Sequence, residues 1–138
     1  MLYYATASMK YTKTYGKIII PHKVRPEPHE MDMADVFVSM GIDVTFLQPN
    51  TTKGVKTPDV KMKGVLWEFK SPKGKNINTV SNNLRRAVKQ SKNVVIDSRR
   101  IGLSDDKVRS ELLRNVPLIK SLKRLAMIDK EGNVVDIK

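Results

Sequence analysis

Two carboxylates and a lysine lie on neighbouring stretches of this chain that are typical of a tight β-hairpin. Residues 57–73 have the sequence TPDVKMKGVLWEFKSPK, in which the ionisable residues of interest are Asp59, Glu68 and Lys70. Carboxylate oxygens are the ligands that hard divalent cations such as Mg²⁺ prefer. A nearby lysine can neutralise a phosphate or orient a water molecule. These residue types together point to a divalent metal and to chemistry on a phosphate.

The spacing of the residues predicts how the two strands pair. A two-residue loop is expected at residues 63–64, because Gly64 supplies the positive φ that such a turn needs. Asp59 then lies opposite Glu68, and directly opposed side chains have Cβ atoms roughly 4.5–5.5 Å apart. Lys70 shares their face because strand side chains repeat every two residues. The apolar face is predicted to be buried and contains Val60, Met62, Val65, Trp67 and Phe69. A three-residue loop would shift the register and separate the charged groups.

Opposed like charges are destabilising on a sheet, so the Asp59–Glu68 pair needs a compensating interaction. A proton shared between the two carboxylates, with one pKa raised, is one possibility. A bound divalent cation is the second. Neutralisation by Lys61 or Lys70 in a solvated surface cluster is the third. The spacing alone leaves these three open.

Composition limits the class of protein. A chain of 138 residues predicts one domain with a sizeable core, and 40% hydrophobic with 29% charged residues is typical of a soluble globular protein. No apolar run is long enough for a membrane helix, so we expect no membrane insertion. The N-terminus lacks the continuous apolar region of a signal peptide. The absence of cysteine excludes disulfides and thiolate metal sites.

The charge balance favours a polyanionic partner. The chain has 26 Lys and Arg residues against 14 Asp and Glu residues, a net charge of +12. Contact with phosphates releases counterions, so this excess favours nucleic acid. An acidic protein partner could use the same charges. Between residues 73 and 100 the only acid is Asp97. The bases selected there as nucleic-acid contacts are Lys73, Arg85, Arg86, Lys89, Arg99 and Arg100.

Hydrophobic periodicity predicts an α/β fold with a mixed central sheet flanked by helices. Helices are expected at residues 29–40, 78–91 and 104–114. Strands are expected at 17–20, 42–47, 94–96, 124–128 and 134–137, with the hairpin at 59–70. The order from residue 29 is helix, three strands, helix, strand (αβββαβ). We divide the single domain, 1–138, into an N-terminal strand and connector (1–27), a motif-bearing core (28–101) and a C-terminal helix and hairpin (102–138).

A third carboxylate belongs to the first predicted helix. Glu30 lies one turn before Ala34 and therefore above the inward-facing stripe of that helix. A glutamate in the first turn also interacts favourably with the helix dipole, which is a purely structural role. Its catalytic role depends on the resemblance described next.

The order of elements and the motif residues resemble those of the PD-(D/E)XK nuclease superfamily, which has a restriction-endonuclease-like core. The motif is matched by Pro58-Asp59 and by Glu68-Phe69-Lys70. More specifically, residues 28–101 resemble the C-terminal tRNase toxin domain of CdiA proteins of contact-dependent growth inhibition. The segments that carry this resemblance are VTFL at 44–47, TPD at 57–59, LWEFKSPKG at 66–74 and QSKNVVID at 90–97.

The resemblance implies an endonuclease that cleaves RNA, with tRNA favoured over DNA. Asp59 and Glu68 would hold a divalent metal, for which we expect Mg²⁺, with Glu30 assisting and Lys70 orienting the attacking water. The six selected bases would hold the nucleic-acid backbone. The resemblance also implies a cognate immunity protein and delivery of the domain into the cytoplasm of a target bacterium.

Two other readings of the sequence remain open. A metal-independent RNase toxin on a barnase-like, EndoU-like or colicin-like scaffold would use Glu68 or Lys70 in acid–base chemistry or charge stabilisation. The only histidines, His22 and His29, are expected to be structural or exposed, although either could act in that mechanism. A non-catalytic nucleic-acid-binding module would need only the basic regions 73–100 and 120–124. Trp67 and Phe69 are expected in the core, and the four tyrosines, Tyr3, Tyr4, Tyr11 and Tyr15, in packing of the N-terminal segment.

Overall fold

The computed structural model describes residues 14–138, which form one small α/β domain. The elements of this part of the chain are β1 (Ile18–Ile19), α1 (Pro28–Ser39), β2 (Val44–Phe46), β3 (Val60–Met62), β4 (Val65–Lys70), α2 (Ile77–Ala87), β5 (Asn93–Asp97), α3 (Asp105–Asn115), a 3₁₀ turn (Val116–Leu118), β6 (Arg124–Ile128) and β7 (Val134–Asp136). The predicted class, a mixed sheet flanked by helices, is confirmed.

The strands of residues 14–138 form a seven-stranded sheet in sequence order, β1-β2-β3-β4-β5-β6-β7. β1 pairs with β2, β4 with β5 and β5 with β6 in parallel. The pairs that include β3 or β7 are antiparallel. β1, β2, β4, β5 and β6 therefore all run in one direction. We call the end of the sheet where β4 and β5 finish the carboxyl edge, and the opposite end the amino edge.

The crossover helices determine which loops reach the carboxyl edge. α1 joins two parallel strands, and so does α2, so each helix runs antiparallel to the strands that it connects. Both helices consequently begin at the carboxyl edge. β3 runs against β4, so the residues that precede β3 also lie there. This topology brings the start of α1, the start of β3 and the end of β4 to one edge of the sheet.

Both faces of the sheet are covered by hydrophobic residues. On one face, Met33 and Phe37 of α1 pack in a cluster with Val60, Phe69 and Val95. The Phe37 and Phe69 rings are stacked, with centroids 5.9 Å apart. On the other face, α2 and α3 cover a second cluster whose members include Val80, Leu84, Val94, Leu112 and Met127.

The predicted hairpin register is confirmed. Val60 pairs with Trp67 and Met62 pairs with Val65. The two loop residues, Lys63 and Gly64, both have positive φ, at 50° and 76°. This conformation suits the twist of a two-residue hairpin. The predicted apolar face is buried at Val60, Met62 and Phe69, whereas Val65 and Trp67 are partly exposed.

The predicted element bounds differ from the structure mainly at their ends. α2 stops at Ala87, and the predicted last turn to residue 91 is instead a series of tight turns. The first strand is limited to Ile18–Ile19. Tyr3, Tyr4 and Tyr11 lie outside the described residues, and Tyr15 is exposed. Among the helices of residues 14–138, none has the length and apolarity needed to span a bilayer.

Candidate active site

Asp59 is held at the start of β3 by three hydrogen bonds to its neighbours. Its amide donates to the carbonyl of Trp67 (3.1 Å), and its own carbonyl accepts from the amide of Leu47 (3.0 Å). Its carboxylate atom Oδ2 accepts from the amide of Phe69 (2.9 Å). The ladder of β3 and β4 ends at Val60 and Trp67, so the predicted backbone pair of Asp59 with Glu68 does not form. Instead of a backbone pair, a hydrogen bond to the Asp59 side chain joins this position to β4.

Glu68 is a buried carboxylate, with only 5% of the residue exposed. Its Oε2 atom lies 3.4 Å from Nζ of Lys70, as the shared strand face predicted. Its Oε1 atom is also buried and has no hydrogen-bond partner within residues 14–138. Burial raises the pKa of Glu68 to about 8, with a further upward contribution from the charge of Asp59 and an opposing one from Lys70. The period-two alternation predicted a polar face for this side chain, so its burial was not expected.

Glu30 lies in the first turn of α1 and is half-buried. Its Oε1 atom accepts a hydrogen bond from the amide of Glu27 (2.7 Å), which caps the helix. Burial raises the pKa of Glu30. The backbone hydrogen bond from Glu27 lowers it, and interaction with Asp59 raises it again. Glu30 therefore has the structural role of a capping residue and is also a neighbour of the Asp59 carboxylate.

Asp59 is the common member of two carboxyl pairs, one with Glu30 and one with Glu68. The charge of Asp59 contributes to raising the pKa of both partners. Within residues 14–138, no group of three or more histidine, aspartate or glutamate residues has the arrangement of a metal-binding cluster. The residues nevertheless fit a hard cation in one respect. Glu68 Oε1 is a buried oxygen without a partner, which a cation or a proton would satisfy.

Three of the six predicted nucleic-acid contacts lie at the carboxyl edge of the sheet. Lys73 is exposed in the loop after β4. Arg99 forms a two-pronged ion pair with the buried Asp97, with a shortest distance of 2.8 Å. Arg100 donates from Nε to the hydroxyl of Ser71 (2.8 Å). Arg99 and Arg100 are therefore engaged within the domain, and Lys73 is the more available of the three.

The other three predicted contacts lie toward the amino edge, where α2 ends. Arg86 and Lys89 are exposed there, and Arg85 donates to Oδ1 of Asn115 (3.1 Å). An eleven-residue helix is about 16 Å long. The bases that the sequence placed in one region therefore belong to two separated surfaces.

The two histidines do not take part in this arrangement. His22 is exposed, and His29 is partly exposed at the second residue of α1. Within residues 14–138 neither side chain forms a hydrogen bond or an ion pair. The structure thus brings Glu30, Asp59, Glu68 and Lys70 together. Neither histidine takes part in the hydrogen bonds or ion pairs of these four residues.

A cavity of about 230 Å³ adjoins Glu30 and Asp59, and two bases that the sequence analysis did not select line it. These are Lys23 and Arg25, from the connector between β1 and α1. The signal available in the sequence was the alternation of bases in HKVRP, at residues 22–26. A larger cavity, of about 950 Å³, lies between α2 and α3, and its lining includes none of the predicted catalytic residues.

Comparisons with known proteins identify the family of this chain. The family model described as "Contact-dependent growth inhibition CdiA C-terminal domain" matches residues 56–134. The match spans more than half of the chain and includes Asp59, Glu68 and Lys70. The chain therefore belongs to this family, and the predicted resemblance is confirmed at that level.

A solved structure is similar over almost the whole domain. It is a CdiA-CT/CdiI toxin and immunity complex from Burkholderia pseudomallei, with a TM-score of 0.67. The similarity covers 89% of this chain and 99% of that chain at 21% sequence identity, and it shows a shared fold. A comparison with curated protein sequences finds no significant match.

Proposed function

We propose that this domain is a metal-dependent nuclease of the contact-dependent growth inhibition toxin class, acting on RNA with tRNA favoured. The observation that carries this proposal is the group of Glu30, Asp59 and Glu68, with Lys70 paired to Glu68, at the carboxyl edge. Family membership supports the toxin class. The net charge of +12 supports a nucleic-acid substrate.

The proposed roles of the residues follow from their positions. Asp59 and Glu68 would hold the divalent cation, to which the unpartnered Oε1 atom of Glu68 is available. Glu30 assists through its second oxygen, because its Oε1 atom is occupied by the cap. The cation, when bound, lowers the pKa of a water molecule and stabilises charge on the phosphate. Lys70 orients the attacking water or neutralises the scissile phosphate, from a position 3.4 Å from Glu68.

The order of elements supports placing this site in a restriction-endonuclease-like core. α1, β2, β3, β4, α2 and β5 follow one another as helix, three strands, helix and strand. The candidate motif residues lie at the start of α1, just before β3 and near the end of β4. In this proposal the topology brings a helical acid and two strand acids to one edge.

A second candidate is a metal-independent RNase that uses Glu68 as a general acid–base. The specific observation in its favour is the pKa of about 8 for Glu68, since groups with a pKa near the working pH are efficient in proton transfer. This route leaves a cyclic phosphate at the product end, which mass spectrometry detects.

The test uses total tRNA and plasmid DNA, each incubated with wild-type protein in Mg²⁺ or in EDTA. Asp59→Ala, Glu68→Ala and Lys70→Ala are each expected to lose at least about 100-fold in cleavage rate. Lys61→Ala is the matched control for Lys70, because Lys61 is an exposed lysine on the neighbouring strand. Full activity in all three variants rejects the site, and cleavage that survives EDTA selects the metal-independent route. Salt-dependent binding without turnover under any metal leaves a non-catalytic binding module.

We further propose a cognate immunity protein as the partner and the cytoplasm of a target bacterium as the place of action. The family assignment supports delivery, and the similar fold was solved as a toxin and immunity complex. Rescue of growth by co-expression of a neighbouring open reading frame tests the partner. Toxicity that no such frame relieves would contradict it.

A further inference from the structure

The cavity beside Glu30 and Asp59 has the character of a binding subsite. Its volume of about 230 Å³ is smaller than the roughly 300–1,000 Å³ of typical drug-sized ligand pockets, so it suits one small group. Most of its lining is apolar: Val24, Pro26, Phe46, Leu47, Pro49 and Pro58. A small apolar group can therefore enter next to the carboxylates.

Two cationic side chains line the same cavity, and their charges form no contact that stabilises the fold. Lys23 and Arg25 form no ion pair and no side-chain hydrogen bond with any residue of 14–138. Glu30 and Asp59 line the cavity too, yet neither cation is close enough to pair with them. Two unpaired cations in the lining of the cavity provide a site for an anionic group such as a phosphate.

The backbone at Lys23 is the second observation. Lys23 has a φ of 70° in a turn closed by a hydrogen bond from the amide of Val24 to the carbonyl of Pro21 (3.1 Å). Glycine or asparagine is the usual residue where a turn requires positive φ, because a side chain is strained there. A lysine at this position is therefore unfavourable for the turn itself. The other non-glycine residue with positive φ within residues 14–138 is Lys63, in the hairpin turn, and it does not line this cavity.

We propose that this cavity binds one unstacked nucleotide of the substrate beside the scissile phosphate. The base lies against the apolar walls, and Lys23 and Arg25 contact its phosphate. Unpaired bases splayed out of a strand are recognised in this way, whereas a base within a duplex cannot enter. The substrate class is therefore a single-stranded or looped segment. This inference rests on the proposed function, whose catalytic carboxylates adjoin the cavity.

The first test compares Lys23→Gly with Lys63→Gly, two matched changes at positive φ. Both are expected to raise the melting temperature by about 2–4 °C, because glycine relieves the same backbone strain.

Affinity for a fluorescent single-stranded RNA of about 12 nucleotides is measured in EDTA, without turnover, at several salt concentrations. Lys23→Gly is expected to weaken binding about 5- to 10-fold and to reduce the salt slope by about 0.7, the value for one phosphate contact on a single strand. Lys63→Gly is expected to leave affinity and slope unchanged. Equal affinity in the two variants overturns the proposal.

The second test uses the same RNA with an abasic site introduced at each position in turn. Loss of the base that enters the cavity is expected to weaken binding about 5-fold or more, since stacking of one base contributes roughly 1–3 kcal/mol. A blunt RNA duplex is expected to bind equally to wild type and Lys23→Gly. The proposed subsite is overturned if an abasic site weakens binding equally at every position. It is also overturned if Lys23→Gly weakens binding to the duplex as much as binding to the single strand. Both tests read binding, so loss of the subsite and loss of nuclease activity are separate results.

Discussion

The carboxylate of Asp59 accepts a hydrogen bond from the amide of Phe69 at 2.9 Å, and this contact joins β3 to β4 directly beside Glu68. Asp59 thus has two roles. It completes the pairing of two strands, and it supplies negative charge to the site. Substitutions that keep the hydrogen bond and remove the charge can separate these roles.

We expect Asp59→Asn to fold at least as stably as wild type and to lose cleavage. The asparagine carbonyl oxygen can accept the same hydrogen bond, and loss of the charge removes one cause of the raised pKa values of Glu30 and Glu68. Asp59→Ala should lose cleavage and also about 1–3 kcal/mol of stability, because the amide of Phe69 loses its partner. Urea denaturation and a tRNA cleavage assay measure the two effects. Active Asp59→Asn protein would show that the charge of this residue is not needed.

The pKa of Glu68, raised to about 8, predicts a pH dependence of stability. Between about pH 4.5 and 8 the folded state binds a proton that the unfolded state releases, so the contribution of Glu68 to stability falls as pH rises. The slope approaches 1.4 kcal/mol per pH unit for one proton. Glu68→Gln should therefore become more stable than wild type as pH rises from 5 to 9.

Urea denaturation at pH 5, 7 and 9 measures this difference, with the exposed Glu131→Gln as the control. Saturating Mg²⁺ should stabilise wild type most at high pH, because cation binding displaces the proton. A constant difference between Glu68→Gln and wild type across this range would contradict the assignment of the raised pKa to Glu68.

The sequence was sufficient for the hairpin and for the nearness of Asp59, Glu68 and Lys70. The reason is that Gly64 and the period-two alternation together fix the register. The burial of Glu68 was not predictable in this way. β4 lies inside the sheet, and α2 covers the face of β4 that the alternation marked as polar. Val94, the β5 residue that pairs with Glu68, is buried on the same face.

The basic residues were the least predictable part of the site. A count of charges between residues 73 and 100 does not reveal that Arg99 would bind Asp97, because that pair depends on the turn after β5. The separation of Lys73 from Lys89 follows from the helix predicted at 78–91, but a count of charges alone ignores it. The position of Lys23 was not predictable for a related reason, since only tertiary folding brings that connector to the same cavity as Asp59.

Arg99 is expected to act on stability more than on nucleic-acid binding. Asp97 is 2% exposed and depends on Arg99 for charge compensation. Arg99→Ala should lower the free energy of unfolding by about 2–3 kcal/mol. This is somewhat less than the loss on breaking a fully buried pair, because Arg99 is partly exposed and the amide of residue 99 still donates to Asp97. The double variant Asp97→Asn/Arg99→Ala should recover part of this loss. Urea denaturation of Asp97→Asn, Arg99→Ala and the double variant gives the coupling energy, and a coupling near zero would contradict a structural role.

The two basic surfaces are expected to contribute differently to cleavage. Lys73 lies at the carboxyl edge with the carboxylates, and Lys89 lies about one helix length away, beyond the end of α2. Lys73→Glu should reduce cleavage of a short single-stranded RNA and of tRNA alike. Lys89→Glu should weaken binding of tRNA and spare the short RNA, because only a longer substrate can reach both edges. Each change should also lower the salt slope for tRNA by about one. Equal effects of the two changes on the short RNA would contradict the separation of the surfaces.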